Sequence, residues 1–580
     1  MPDKPMAAKM VSWNLRFQDW ASGFLKREDQ LILALALVIG ALTGAAVVAF
    51  ILVTERLGMR LYPPDGAAWR RVLLPVGGSL GIGYLLFRYF PNARGSGVPQ
   101  TKAALFARDG VITLRTTIGK FFCTAATLAC GIPLGREGPS VQVGGGIAST
   151  LGRLLGLRTE QVKKLIPVGA AAAIAAAFNT PLAAVLFSLE EVMGDLHAPV
   201  MGAVVLASAT AWVVLRLLLG DNPLFKVPQY QLVHPVEFAF YAVLGVAGGL
   251  VSFAFTKLLI TIRARFLRFP SKTIWFQPVA GGLVVGLMGW FVPQVLGVGY
   301  GYVGDILNGN MLFRLMIVLL VLKILSVTIS YGSGNAGGIF GPALFIGAML
   351  GGIVGSLAHR LFPLHTATPG AYALVGMGAV FAGVIRTPMT SVLMIFETTR
   401  DYAVIVPLMI ANLVSFFIAT RFQRESVYDI LATQDGIHLP SAETRREQSS
   451  RQVRRAMRPV KETLHAHLTV QQAMDQMRSS EVQSWPVVDH RGVIGVISKL
   501  MLNGYLSENQ GDKPLSDLVD PVEFPHVHQD QSLEQALNRM GTAGLDILPV
   551  VSRADVHKLE GVIAIRDVLD SYGVSKLGPI

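Results

Sequence analysis

Charge and cysteine are what this chain has least of. Only 15% of its 580 residues are charged, against roughly 25% in soluble domains, so water alone is not its solvent. The two cysteines, Cys123 and Cys130, lie seven apart in one apolar segment. That spacing suits one helix face and is too wide for a disulfide, so they are expected to pack. Before Leu31 there is no continuous apolar core, and the mixed-charge start does not read as a cleaved signal peptide. Carboxylates are few in the apolar part, which argues against a pore for magnesium or another cation.

What is present is hydrophobic length. Apolar residues make up 52% of the chain and the mean hydropathy is +0.50. The runs 31–53, 200–220 and 278–299 each approach or exceed the ~20 residues that span a hydrocarbon core. The chain is therefore expected to be a polytopic, all-α membrane protein. Its net charge of +12 fits basic loops on the cytoplasmic side better than nucleic-acid binding.

The apolar character stops near Thr420, and the expected organisation follows from that. Residues 1–30 form a cytoplasmic segment, 31–435 a transmembrane unit, 436–458 an arginine-rich linker, and 459–510 and 511–580 two soluble modules. Within the membrane unit, "GIPLGREGPSVQVGGGI" (131–147) resembles "GNAGGIFGPALFIGAML" (334–350), and "VGAAAAIAAAFNTPLAAVLFSLEE" (168–191) resembles "VGMGAVFAGVIRTPMTSVLMIFET" (375–398). Two related halves are expected, with their relative direction open. Several segments begin with a Gly/Pro cluster and continue as helix. A helix that starts inside the membrane offers free N–H groups and the positive end of its dipole, and broken helices in both halves point to a transport site.

The motifs "GSGVP" (95–99), "GREGP" (135–139), "GGIFGP" (337–342) and the tyrosine of "SVYDIL" (426–431) together resemble the CLC chloride channel/transporter family, across roughly residues 30 to 435. The resemblance implies a two-fold internally duplicated helical fold and a homodimer in the cell inner membrane, with both termini cytoplasmic. Chloride and protons are its substrates, and no catalytic residue or cofactor is expected. It implies that Ser96 offers a hydroxyl, Ile339 and Phe340 their backbone N–H groups, and Tyr428 a phenol to one chloride ion. Such donors suit an anion because they carry no full counter-charge to trap it. Serine at the Ser96 position goes with chloride in the family, and the set matches the chloride pattern rather than that of a fluoride-selective relative. The plainer readings are a helix N-cap for Ser96 and an interfacial anchor for Tyr428.

Glu137, at the start of a helix, is expected to mimic an anion in its own site and leave when protonated. The plainer alternative is an ion pair with Arg136, which is otherwise expected to support the anion path electrostatically. Glu190 has a counterpart in Glu397 and reads as architectural, whereas Glu191 aligns with Thr398. In the family, proton-coupled exchangers usually carry a glutamate where Glu191 falls. Glu191 is therefore expected to receive protons from the cytoplasm and pass them to Glu137, which favours proton/chloride antiport over a passive chloride channel. Lys120, 17 residues before Glu137, is either a buried cation below the anion path or a lysine snorkelling from a helix end.

The tail resembles a pair of CBS modules, each running helix, strand ending in "PVV", turn, strand with "GVI", helix. Such α/β pairs often hold adenine nucleotides through a Ser/Thr and an Asp three residues later. Here Ser498 is followed at that spacing by Met501, and Asp567 is preceded by Ala564, so both clefts are incomplete. Dimer contact or conformational regulation is the role expected of the pair. His526 and His528 share a strand face but lack a third ligand, so solvated histidines are expected there rather than a metal site.

Overall fold

The computed structural model describes residues 28–437, 439 and 452–572, apart from 197–199, 221–223, 226, 229, 231, 461, 479, 481 and 522–523. The segment expected over 1–30 lies outside the described residues except for 28–30, as does 440–451 of the expected linker. Two compact units divide at Leu439 and Pro440.

Among the described residues the first unit's regular structure is helical, and its helices fall into two corresponding series. One comprises α1 (Glu28–Leu61), α2 (Arg70–Arg88), α3 (Val98–Phe106), α4 (Leu114–Ala129), α5 (Glu137–Leu154), α6 (Thr159–Phe178), α7 (Pro181–Phe187) and α8 (Met201–Leu219). The other comprises α9 (Glu237–Leu267), α10 (Pro278–Phe291), α11 (Tyr300–Leu307), α12 (Phe313–Gly332), α13 (Phe340–Leu361), α14 (Pro369–Ile385), α15 (Pro388–Thr399) and α16 (Ile405–Phe422). A final short helix, α17 (Val427–Gln434), carries Tyr428. Seven segments among the described residues are long and apolar enough to cross a membrane. Helix α1, with 34 residues, is about 51 Å long at ~1.5 Å per residue and exceeds a ~30 Å hydrocarbon core.

The halves run in opposite directions. Gly135 and Gly338 exchange two antiparallel backbone hydrogen bonds of 2.7 Å, just ahead of α5 and α13. Glu190, beyond the end of α7, accepts from the first-turn N–H groups of Met389 and Thr390 on α15. Glu397 on α15 accepts from those of Leu182 and Ala183 on α7. Each of the two helices caps the other, so they are antiparallel. The duplicated glycines have a packing reason: a Cβ on Gly144 or Gly169 would run into the other's carbonyl oxygen, and the same holds for Gly347 and Gly376. Helix α5 crosses α6, and α13 crosses α14, at backbone contact.

The second unit contains two modules. In the first, β1 (Leu464–His465) lies parallel to β2 (Ser484–Asp489), which pairs antiparallel with β3 (Gly492–Ser498). In the second, β4 (Ile547–Val551) pairs antiparallel with β5 (Leu559–Ala564). Helices α19 (Val470–Met477) and α20 (Lys499–Ser507) belong to the first, and α21 (Leu533–Ala543) and α22 (Ile565–Ser571) to the second. Packing moves the expected boundaries. Helix α18 (Val453–Ala456) falls in the expected linker, yet Val453 is fully buried in the second module's core and donates to Gln531. Residues expected to open the second module also pack on the first: the Val470 N–H donates to the Lys513 carbonyl, and Leu515 sits in the first module's core. The short β1 was not foreseen, because two residues carry no alternation to read.

Candidate functional site

Four helix starts converge in the first unit: α3 behind Ser96, α11 at Tyr300, α5 at Glu137 and α13 at Phe340. The loop before α3 needs its glycines, since Gly95 and Gly97 have φ of +83° and +106°, which only glycine adopts without strain. Gly138 packs against Ser96 so closely that a Cβ would lie 2.7 Å from the Ser96 carbonyl oxygen and hydroxyl. Ser96 and Glu137 are thereby brought to one place from two different helices.

Glu137 is fully buried. Its carboxylate accepts the Tyr300 hydroxyl and, at 3.2 Å, the Gly341 N–H in the first turn of α13. Arg136 does not pair with it. The guanidinium points to Glu55 at 3.5 Å and lies 5.7 Å from the Tyr300 ring centroid, so the ion pair weighed from sequence is not formed. The carboxylate sits where helix N-termini favour negative charge.

Ser96 and Tyr428 are both fully buried, and among the described residues neither hydroxyl has a partner with hydrogen-bond geometry. A buried, unmatched hydroxyl costs about 1–3 kcal/mol, so both are suited to an acceptor that is not part of the chain. Ser96 is not the N-cap of α3, where Gly97 stands, and Tyr428 is not an interfacial anchor. The Ser96 N–H is taken by the Tyr331 hydroxyl at 3.2 Å. Ile339 and Phe340 open α13 and are buried; the Phe340 ring packs among Phe178, Phe187 and Phe381.

Glu191 lies in a π-helical turn, Ser188–Met193, a form often found at functional sites. It is 5% exposed and pairs with Lys102 at 2.8 Å; Lys102 also reaches Asp429 at 2.7 Å. Glu190 points elsewhere, to α15. Lys120 is fully buried and does not snorkel: its ammonium donates to the Ala93 and Gly95 carbonyls at 3.1 and 2.5 Å. Lys323 does the same for Val295 and Gly297 ahead of α11. The two lysines correspond between the halves, each holding the loop that enters a short helix.

Sequence reasoning missed Tyr300, Lys102 and Asp429. For Tyr300 a signal existed, since "GVGYG" (297–301) is the second-half counterpart of "GSGVP". For Lys102 it was a lone cation in an otherwise apolar short helix.

In the second unit, Ser498 caps α20, accepting from Met501 N–H at 3.2 Å. Asp567 accepts from Ala564 N–H at 3.1 Å and pairs with Arg458. Both are committed to their own helix starts. His526 and His528 are partly buried and face each other with ring centroids 5.2 Å apart, so they are packed rather than solvated; their Nδ1 atoms bond the Phe524 and Val551 carbonyls at 2.8 and 2.9 Å. Among the described residues no group of three metal-ligating side chains occurs.

Residues 77–420 match the family described as voltage gated chloride channel, and 453–508 and 515–573 each match the CBS domain. The H(+)/Cl(-) exchange transporter ClcA of Vibrio campbellii is 33% identical over 370 residues, which cover 63% of this chain and 79% of that protein. A crystal structure of a slow cyanobacterial Cl-/H+ antiporter superposes with a TM-score of 0.65 at 27% identity, over 70% of this chain and 97% of the other. A eukaryotic CLC transporter, 21% identical, shares the fold over 92% of this chain and 97% of its own, with a TM-score of 0.60.

Proposed function

The chain belongs to the voltage gated chloride channel family, and from that membership we propose that it exchanges chloride for protons across the membrane. The observation that carries this reading is the seat of Glu137. A carboxylate held by a backbone N–H and a hydroxyl among converging helix starts occupies a place suited to an anion. Protonation removes its charge and most of its attraction to those dipoles, so the side chain can leave and chloride can enter. Ser96 and Tyr428 then donate their unmatched hydroxyls to the ion, with the first-turn N–H groups at Ile339 and Phe340 behind them. Glu191, buried and paired with Lys102, serves as the inner proton carrier. No bond is made or broken in a substrate, so no catalytic chemistry is assigned.

The protein acts as a homodimer in a bacterial inner membrane with both termini in the cytoplasm, a reading supported by the bacterial relative and by the basic excess of +12. The described membrane unit and the CBS pair correspond to the transport and regulatory domains; adenine nucleotide is not assigned to Ser498 and Asp567, whose polar atoms already serve their helices. Cross-linking in membranes tests the dimer. The decisive experiment measures the reversal potential of chloride current in reconstituted protein under a proton gradient. Displacement from the chloride equilibrium potential, abolished by Glu137→Gln, is the expected result. A reversal potential that follows chloride alone would make the protein a passive channel.

A further inference from the structure

The loop that enters α3 has its backbone groups taken up one by one. The Gly95 carbonyl accepts from Lys120, the Gly97 N–H donates to the Gln100 side chain at 2.9 Å, and the Ser96 N–H donates to the Tyr331 hydroxyl at 3.2 Å. Gln100 belongs to the first turn of α3 itself, and Lys120 to the next helix, so those two ties are local. Tyr331 comes from much further away. It lies at the end of α12, in the other series of helices and 235 residues along the chain, and it is buried. The exchange reading gives it no role.

The Ser96–Tyr331 bond is of a kind that an anion can replace. Its length stands at the far end of the usual range of roughly 2.7–3.2 Å, and its acceptor is neutral. A hydrogen bond to an ionised acceptor is roughly twice as strong as one between neutral groups. The competing seat is on the same residue. The Ser96 hydroxyl is fully buried and has no partner with hydrogen-bond geometry among the described residues, and an ion held by that hydroxyl lies within reach of the N–H of the same serine. Gly95 keeps the approach clear: a Cβ there would stand 3.6 Å from the Tyr331 hydroxyl oxygen.

We propose that Tyr331 is an uncharged stand-in for the anion: its hydroxyl oxygen occupies the Ser96 N–H, and chloride displaces it on binding at the start of α3. The inference rests on the exchange reading above and adds to it a device that loosens binding. An ion that is to be passed on must be held weakly enough to leave, and a competitor built into the chain lowers its affinity without closing the site. Glu137 and Tyr331 then do related work on different terms. Glu137 is a carboxylate held by the Tyr300 hydroxyl and the Gly341 N–H, and it yields to a proton. Tyr331 is a neutral phenol held by one N–H, and it yields to chloride itself with no change of protonation.

The test is calorimetric titration of full-length, detergent-solubilised protein with sodium chloride. Every protein carries Glu137→Gln, so that no carboxylate competes for the ion. Tyr331→Phe keeps the ring in its packing, removes only the hydroxyl, and leaves the Ser96 N–H to chloride. The expected result is chloride binding tighter than in the parent, on the order of tenfold. A tyrosine that merely braces the Ser96 loop, or one that donates its hydroxyl to the ion, gives the opposite shift, because its loss loosens or strips the site. Equal or weaker binding in Tyr331→Phe therefore overturns the proposal, and so does the absence of chloride binding in both proteins. Failure of the exchange reading shows separately, as a wild-type reversal potential at chloride equilibrium, and leaves the order of the two affinities as it stands.

Discussion

Tyr300 and Glu137 meet in one hydroxyl–carboxylate hydrogen bond, and at the scale of single residues this contact would, on the proposed reading of Glu137 as the outer gate, set how readily that gate opens. A hydrogen bond to a charged group contributes about 1.5–3 kcal/mol, and on the proposed reading it would be lost when Glu137 leaves its seat. Tyr300→Phe keeps the ring against Phe225 and Arg136 while removing the hydroxyl. Chloride efflux from loaded vesicles should therefore quicken, on the order of tenfold or more, with the displaced reversal potential retained. Slower efflux would show that Tyr300 helps the open state instead. The two adjacent glutamates make the opposite lesson. Glu190 and Glu191 differ by one position in sequence and by everything in environment, one capping a helix and the other paired with a buried lysine.

At the scale of elements, the reciprocal caps between α7 and α15 hold the halves together. Each carboxylate satisfies N–H groups that a helix start leaves unmatched. Glu397→Ala should lower the Tm of the purified protein, by about 1–2 kcal/mol of stability, without moving the reversal potential, since Glu397 touches neither ion path. A changed reversal potential would refute that division of labour. The glycine crossings are less forgiving. Gly376→Val would press a side chain into the Gly347 carbonyl and the backbone of Gly351, and the expected outcome is loss of folded protein, read by size-exclusion elution after solubilisation.

At the scale of the whole molecule, the second unit carries its own response to acid. Burial holds the His526 imidazole below its ordinary range, so the folded state resists the proton that the unfolded chain accepts below about pH 6.5. Stability therefore rises with pH through that window and falls on acidification below it. Asp530, lowered chiefly by its hydrogen bonds with Arg553, acts in the same direction at lower pH, where its pairing is lost. Hydrogen exchange of the full-length protein should show residues 524–528 opening as pH falls through the histidine range, after correction for intrinsic rates. His526→Gln should flatten that dependence; an unaltered profile would assign it to other groups.

The linear sequence was enough for much of this. Hydrophobic length determined that the chain spans a membrane, because ~20 apolar residues have no other stable solvent. Repetition of glycine, proline and glutamate at near-constant offset determined that there are two halves, and four short motifs pointed to the residues proposed for an anion path. Which core Val453 and Leu515 join shows only once the modules pack. Direction of the halves, the Tyr300 contact and the Lys102 cluster were decided by tertiary structure alone. The physical reason is reach: each depends on groups far apart in the chain, such as Glu137 and Tyr300, or Lys102 and Asp429, meeting within a hydrogen bond's length. Local spacing governs periodicity and helix starts, but which buried charge neutralises which is settled only when the helices pack.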